Sequence, residues 1–450
     1  MAGKYQAYPE YRNSGSEWLG VVPEHWDAKK LKYILAPKGL VRGPFGSALK
    51  KEYFSGSGIK VYEQKNAIRG NCYIGDSYID VNRYRELERF TVQPNDVIMS
   101  CSGTIGRTVR VSSDCEKGII NQALLIIRMD DSISDRLFDY LFDSDGIKQQ
   151  IIDNSQGGAM QNLVATDIFK GIRYPIPPSD EQEKIANFLD HETVKIDTLI
   201  EKQQQLIKLL KEKRQAVISH IVTKGLNPDA PMRDSGVEWL GEVPAQWDVS
   251  KFGYISQVVR GGSPRPAGDP TLFNGDYSPW VTVAEITKDD EIYLTETETF
   301  LTKKGSDQCR VFKSGTLLLS NSGATLGVPA ILRIDANAND GVVGFESLKL
   351  NHEFAYYYLS SLTDNLRERI NQGSGQPNLN TDIVKDISIP IPPEAEVEAI
   401  VDSIRTNRVH FKKLEEKAVS GIELLKERRT ALISAAVTGK IDVRNSVDQV

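Results

Sequence analysis

Cysteine and histidine, the side chains that most often hold metals or act as nucleophiles, are sparse and scattered in this chain. Cys72, Cys101, Cys115 and Cys309 contain no CxxC spacing, and His25, His191, His220, His352 and His410 form no HxxxH or HExxH pair. Neither a zinc site nor a disulfide framework is signalled, and these residues read as structural or surface groups. Phosphate-loop chemistry is missing too. There is no GxxxxGK[ST], and Gly56 to Gly58 lacks the third glycine and the flanking strand and helix of a dinucleotide site. The proline pairs at Pro177 and Pro392 follow isoleucine, whereas an amino-methyltransferase would set Asn or Asp there to hold the target amine. The glycines of SGTIG and SGATLG read as tight β-turns rather than as an anion-binding nest. With no nucleophile beside a base and no carboxylate pair in a recognisable motif, the residues do not support an enzyme.

What remains is electrostatic chemistry. The whole chain carries a net charge of −6, yet Lys29 to Arg110 holds fifteen Lys and Arg against seven Asp and Glu. Tyr53, Phe54, Tyr62, Tyr73 and Tyr84 are interleaved with them. Such a stretch suits contacts to a phosphate backbone, and the same composition also describes a solvated face. The corresponding second stretch is acidic overall, with its cations grouped at Arg260 and Arg265 and at Lys303, Lys304, Arg310 and Lys313.

The elements that must position these groups are written twice. NSGSEWLGVVPEHWDA from Asn13 returns as DSGVEWLGEVPAQWDV from Asp234, and SCSGTIG from Ser100 returns as SNSGATLG from Ser320. GGAMQNLVATDIFKGIRYPIPP matches GSGQPNLNTDIVKDISIPIPP, and LLKEKRQAVISHIVTKG matches LLKERRTALISAAVTGK. A period above 200 residues is too long for a solenoid, so a domain and its appendage were duplicated together. Each globular part, rich in glycine and in short β-type runs such as DVIMSCSG and TLLLSNSG, reads as an irregular α+β domain. At 450 residues and 40% hydrophobic composition, at least two cores are expected. No apolar run is long enough to span a bilayer and the start lacks a signal-peptide pattern, so a cytoplasmic location is expected.

Each globular part ends in IPIPP, and a helix follows. Ser179 suits an N-cap, and the acidic DEQE suits the positive end of a helix dipole. Leu189, Ile196, Leu210 and Val217 fall on one heptad series, with Leu199 and Leu206 on a companion series. In the second copy Ile404, Phe411, Leu425 and Leu432 repeat the first series and Leu414 the companion, under a shift of 215. A seam over four or more heptads predicts a coiled coil. With GLNPDAP from Gly225 breaking the first helix, the two helices are expected to fold back antiparallel as a spacer. The expected boundaries are 1–178 and 226–393 for the globular parts, 179–225 and 394–440 for the helices, and 441–450 for a tail.

In this order, EWLG.VP..W, the RGPFGS or GGSPRP loop, VQPNDVIMSCSGTIGR, QNL/PNLN, IPIPP and the LLKEKRQAVIS helix resemble the specificity subunits of type I restriction-modification systems. The resemblance covers nearly the whole chain; the second copy departs from it by reading PPEAEVEAI where the EQ helix start is usual. It implies two target recognition domains, each reading one half of a split double-stranded DNA sequence, and helices that dock two adenine methyltransferase subunits. It implies motor-nuclease subunits as further partners, no membrane, and no cofactor on this chain. S-adenosylmethionine, ATP and Mg2+ would belong to the partners.

On that reading the expected DNA contacts are Arg42, Lys50, Lys51, Lys65 and Arg69 in the first domain and Arg260, Arg265, Lys303 and Lys304 in the second. Most would position the protein on phosphates rather than specify bases. Trp18, Trp26, Trp239 and Trp247 are expected to be framework residues. The competing reading, motivated by the acidic second domain, is a duplicated coiled-coil scaffold that binds only protein.

Overall fold

The computed structural model describes residues 5–153, 155–156, 162–163, 166–288, 291–323, 325–371 and 378–446. The GGAMQ and GSGQP segments, Ala324 of SGATLG and the last four residues of the expected tail lie outside the described residues. The chain divides into two compact units, one of residues 1–203 with 420–450 and one of residues 204–419.

In the first unit, apolar runs that alternate between two faces explain why the sheet is buried on both sides. Strand β1 (Leu35–Arg42) is followed by β2 (Ile59–Tyr62), helix α1 (Gln64–Arg69), β3 (Val97–Ser100), β4 (Thr108–Arg110), β5 (Gly118–Ile120) and β6 (Leu124–Met129). An antiparallel sheet runs in the order β1-β6-β3-β4, while β2 pairs in parallel with β5 and antiparallel with Tyr78–Ile79. Side chains two apart on a strand share a face. Leu125 and Ile127 of β6 accordingly enter one core with Val97 and Met99, and Leu124 and Ile126 enter another with Ile98. Helix α2 (Asp135–Asp143) covers the first core through Leu137, Phe138, Leu141 and Phe142, and the Ser134 hydroxyl caps its N-terminus by accepting from the Leu137 N–H.

The second unit repeats this logic. After the long helix α3 (Ser179–Lys224) come β7 (Gln257–Arg260), β8 (Phe273–Val281), α4 (Val283–Thr287), β9 (Leu317–Ser320), β10 (Pro329–Leu332), β11 (Ala336–Ala338) and β12 (Val342–Glu346). Sheet order is β7-β12-β9-β10 with Tyr293–Leu294 added at the edge, and β8 pairs in parallel with β11. Leu317 and Leu319 face one core and Leu318 the other. Helix α5 (His352–Asn371) takes the place of α2, and the long helix α6 (Glu394–Val437) follows.

In each unit the start of the globular part is tied to its end. Asp27–Lys30 pairs with Arg173–Ile176, and Asp248–Lys251 pairs with Ser388–Ile391. The tryptophan motif therefore lies beside the junction from which a long helix leaves. Trp26 and Trp247 are fully buried. Trp247 donates its indole N–H to Glu396 Oε2 at 2.9 Å, at the head of α6. Both tryptophans also lie against a glycine that ends a long helix in left-handed conformation, Gly439 for Trp26 and Gly225 for Trp247. A Cβ added at these positions would stand 3.2 Å from each ring, and a positive φ there favours glycine.

The long helices are shared between units. The first unit's core contains Ile185, Leu189 and Ile196 from the head of α3 with Leu432, Ile433 and Val437 from the tail of α6. The second contains Ile218 and Val222 from the tail of α3 with Val397, Ile400 and Ile404 from the head of α6. Head meets tail in both, so the helices pair antiparallel. Arg429 bonds Asp197 at 3.1 Å in the first unit, and Arg214 lies 3.7 Å from Glu415 in the second.

Two expectations need correction. Leu189, Ile196, Ile404, Phe411 and Leu432 are buried, and Leu210, Val217, Leu414 and Leu425 are partly so, but Leu199 and Leu206 of the companion series are 45% and 42% exposed. The side chains turned inward are their neighbours Ile200 and Ile207. A straight helix drifts about 20° per heptad against a 3.5-residue repeat, so two and three heptads beyond buried Ile185 the companion residues Leu199 and Leu206 have turned roughly 40–60° away from the seam. Second, Cys72 is paired with Cys115, 43 positions away, which their spacing did not signal. The parallel pairing of β2 with β5 draws the flanking segments together.

Candidate nucleic-acid interface

In the first unit, the C-terminal ends of β1, β2, β3 and β5 meet at one rim. Arg42 is the exposed last residue of β1, and Gly43 follows with its N–H on Leu124 O at 3.0 Å. A Cβ at Gly43 would stand 1.9 Å from the Asn121 carbonyl oxygen, so only glycine lets the two loops approach this closely. Asn121 donates its N–H to Tyr62 O at 3.0 Å, and Cys101 donates to Ala123 O at 2.8 Å. Gln64, opening α1, donates its side-chain amide to Ser102 O, which fixes the SCSGTIG turn against α1. Burial pushes the Cys101 thiol up, against the pull of the nearby Arg42 guanidinium. Exposed polar groups here include Arg42, Thr104, Arg107 and Gln122.

The second unit builds the same rim from different residues. Arg260 ends β7 and is followed by Gly261, whose added Cβ would stand 2.2 Å from the Asn339 carbonyl oxygen. Asn339 donates to Val281 O at 2.9 Å, as Asn121 does to Tyr62. Arg260 Nε donates to Asp340 O at 2.7 Å, and the Ser263 hydroxyl donates to Asp340 Oδ1 at 2.7 Å. That hydroxyl, joined by the charges of Arg260 and Arg265, holds the Asp340 carboxyl below the usual carboxylate range against a smaller burial effect. Buried Asn321, at the end of β9, donates its N–H to Gly341 O at 2.9 Å and accepts from the Leu379 N–H at 2.7 Å. The rim thus presents guanidinium donors beside an ionised carboxylate acceptor. Guanidinium, amide and carboxylate groups are the side chains that match the donor and acceptor edges of bases in the major groove.

The expected contact residues divide. Arg42 is on the first rim, and Lys65 and Arg69 ride on α1, which adjoins it. Lys65 is committed to Glu63 at 2.9 Å and Asp76 at 3.5 Å, and the Glu63 bond above all holds its ammonium above the usual lysine value. Lys50, 3.6 Å from Glu52, and Lys51 sit elsewhere, on a segment held by Arg83, which donates to Ala48 O and stacks on Tyr53. In the second unit Arg260 and Arg265 flank Asp340. Lys303 instead lies over the Tyr277 ring, and Lys304 is near Asp269. Arg310 and Lys313 are neutralised within the domain by Glu346 and Asp335, each at 2.7 Å.

Gln64, Asn121, Gln122, Asn339 and Asp340 were not singled out from sequence. A signal existed: Gly43 and Gly261, and Asn121 and Asn339, are both 218 positions apart. An Arg-Gly and an Asn kept in step through the duplication mark the two loops that touch.

Two α+β domains with matching rims, joined by paired helices, define a duplicated recognition protein. The chain belongs to the family of the type I restriction modification DNA specificity domain, whose profile matches residues 46–209 and 244–420. It is 24% identical to the type I restriction enzyme MjaVIII specificity subunit of Methanocaldococcus jannaschii, over 79% of this chain and 81% of that one. It is 22% identical to the StySPI specificity subunit of Salmonella potsdam, over 94% and 90%. Among solved structures, a chain described in work on assembly and conformational transition of the type I R-M system has a TM-score of 0.65 at 17% identity, covering 92% of this chain and 98% of its own. The HsdS subunit from Thermoanaerobacter tengcongensis gives 0.53, also at 17%, covering 93% and 98%. Both are likenesses of fold.

Proposed function

We propose that this chain is the DNA-reading subunit of a type I restriction-modification complex, each rim meeting one half of a bipartite duplex target. The observation that carries this is the repeated rim, in which equivalent strand ends bring Arg42 and Asn121 together in one unit and Arg260 and Asn339 in the other. Two different half-sites need one scaffold with different tips: Arg-Gly and Asn are kept at both rims, while the residue after the Asn changes from Gln122 to Asp340. Half-sites read from one face of a duplex lie about one helical turn, roughly 34 Å, or a multiple apart. Paired helices of 46 and 44 residues suit a spacer and a docking surface for two methyltransferase subunits. The chain itself performs no catalysis on this reading. Adenine methylation with S-adenosylmethionine, and ATP- and Mg2+-dependent translocation and cleavage, belong to partner subunits in the cytoplasm.

Long-read mapping of methylated adenines in the source cell, with and without this gene, tests the assignment. Loss of a bipartite methylated motif on deletion is expected. An unchanged map in a strain whose methyltransferase is active would overturn the assignment and favour a scaffold that binds only protein.

A further inference from the structure

The two rims share their backbone bonds and differ in two side chains. Gly43 donates its N–H to Leu124 O at 3.0 Å, and 218 positions further on Gly261 donates to Val342 O at 2.8 Å. Asn121 Oδ1 accepts from the Ala123 N–H at 3.0 Å, and Asn339 Oδ1 accepts from the Gly341 N–H at 3.1 Å. Beneath each turn a fully buried side chain directs its donor to the same carbonyl. Cys101 Sγ lies 4.0 Å from Gln122 O, and Asn321 Nδ2 lies 3.4 Å from Asp340 O. The register therefore holds through both loops, so that Phe45 corresponds to Ser263 and Gln122 to Asp340. Arg42 and Arg260 are common to both rims and do not distinguish one half-site from the other.

The two positions that differ carry opposite chemistry. Phe45 is 86% exposed, the most exposed large apolar side chain among the described residues. Gln122 is exposed too, and its side-chain amide, both donor and acceptor, has no partner among the described residues. In the second unit the Ser263 hydroxyl donates to Asp340 Oδ1 at 2.7 Å, whereas Oδ2 has no hydrogen-bond partner in another described residue. An ionised carboxylate can only accept. In the major groove an amide matches adenine N6 and N7, an apolar ring matches the thymine methyl, and a carboxylate matches the cytosine N4 amine. Adenine also offers an amine, but its N7 lone pair lies beside it and would face the second carboxylate oxygen. Cytosine has a C–H there instead.

We propose that these two paired positions set which base pair each rim takes. Phe45 with Gln122 reads an A·T pair, the amide on adenine and the ring on the thymine methyl. Asp340, oriented by Ser263, reads the N4 amine of a cytosine in the other half-site. The carboxylate also repels the acceptor edges of guanine and thymine at that place, so it excludes as well as selects. This inference rests on the DNA-reading assignment and names what that site reads.

The test uses the full chain in complex with its methyltransferase partner, once the bipartite target is known from methylated adenines. Binding is measured on duplexes altered at one base pair at a time. Asp340→Asn, equal in size but with an added donor, should reduce the preference for cytosine at one position of one half-site by at least about tenfold. Asp340→Glu, which keeps the acceptor, should keep that preference. Replacing thymine by deoxyuridine, which lacks the methyl, should weaken binding about fourfold at one position of the other half-site. The Phe45→Ser chain should not respond to that replacement. Gln122→Asp combined with Phe45→Ser should move the same position from A·T towards C·G. An equal loss on every duplex in Asp340→Asn, with Asp340→Glu no better, would mean that Asp340 only shapes its loop and would overturn the proposal. So would a deoxyuridine effect that is the same in the parent and in Phe45→Ser, or action of both sets of variants on one half-site. A parent motif that none of these variants alters would overturn this inference and leave the DNA-reading assignment standing, whereas no motif beside an active methyltransferase would remove both.

Discussion

Individual side chains in this protein do different work according to whether their partners come from the same loop or from a distant one. Arg42 is exposed at the end of a strand whose loop is fixed by a glycine contact, so it is pre-positioned without being consumed by an ion pair. If Arg42 meets a phosphate, Arg42→Gln should lower the salt slope of DNA binding by about 1 and leave the target unchanged. If it meets a base, one position of the recognised motif should relax instead. Binding measured over a range of salt and on single-position target variants separates these, and no change in either would remove Arg42 from the interface. Glu353 supports a pH prediction. Burial pushes its carboxyl up, but hydrogen bonds from Arg405 and Tyr293 outweigh this and hold it below the usual glutamate range. The folded state then binds the proton less readily than the unfolded state. Its contribution to stability is present above about pH 4.3 and is lost as pH falls through the lower folded value. Denaturant unfolding from pH 6 to pH 3 should be less acid-sensitive in Glu353→Gln than in the parent; parallel curves would count against it. At this scale the sequence was only partly legible. The cationic cluster could be counted, but not which cations were already taken. Lys65 is tied to Glu63 close by in the chain, whereas Arg310 is tied to Glu346, 36 positions away. Only the second kind needs the fold to be seen.

Among the elements, local signals carried furthest. The IPIPP junctions, the acidic helix starts and Gly225 bounded the long helices because each acts through its own backbone neighbourhood. The inward face was less legible. Leu199-Ile200 and Leu206-Ile207 are apolar doublets, so either member could face the partner helix, and composition alone cannot choose. The structure turns the isoleucines inward. Leu199→Lys and Leu206→Lys should therefore each change stability by less than about 0.5 kcal/mol. Ile404→Ala and Leu432→Ala, at positions that are 0% and 1% exposed, should each cost about 2–5 kcal/mol. Chemical denaturation of the four variants checks the contrast, which fails if the leucine variants are as damaged as the core ones. The doubly buried strands were legible for a related reason. ALLIIRM and TLLLSNSG have no polar alternation because both of their faces meet a core.

For the whole molecule, sequence repeats and compact units do not coincide. The duplication boundary falls near Gly225, yet the first unit is completed by residues 420–450, which belong to the second repeat. Tyr11 donates its hydroxyl to Gly439 O at 3.0 Å, and Leu432, Ile433 and Val437 sit in the core that Trp26 seals. Removing residues 420–450 should therefore loosen the first globular domain more than the second, although it deletes nothing from the first repeat. Hydrogen exchange of the truncated chain checks this: faster exchange is expected in β3 and β6, with β9 and β12 retaining their protection. Uniform loss of protection, or loss confined to the second unit, would contradict the assignment of cores. The repeat was legible because similarity survives in linear order, while the exchange of helix ends depends on which partner each apolar stripe meets.

The shared core also sets a clock for synthesis. Ile196 leaves the ribosome roughly 230 residues before Leu432, the residue that helps to cover the same core. At about 5–20 residues per second this interval is on the order of 10–45 seconds. Throughout it the first domain lacks the α6 side chains that complete its core, so the yield of folded protein should respond to translation speed over the second half of the message.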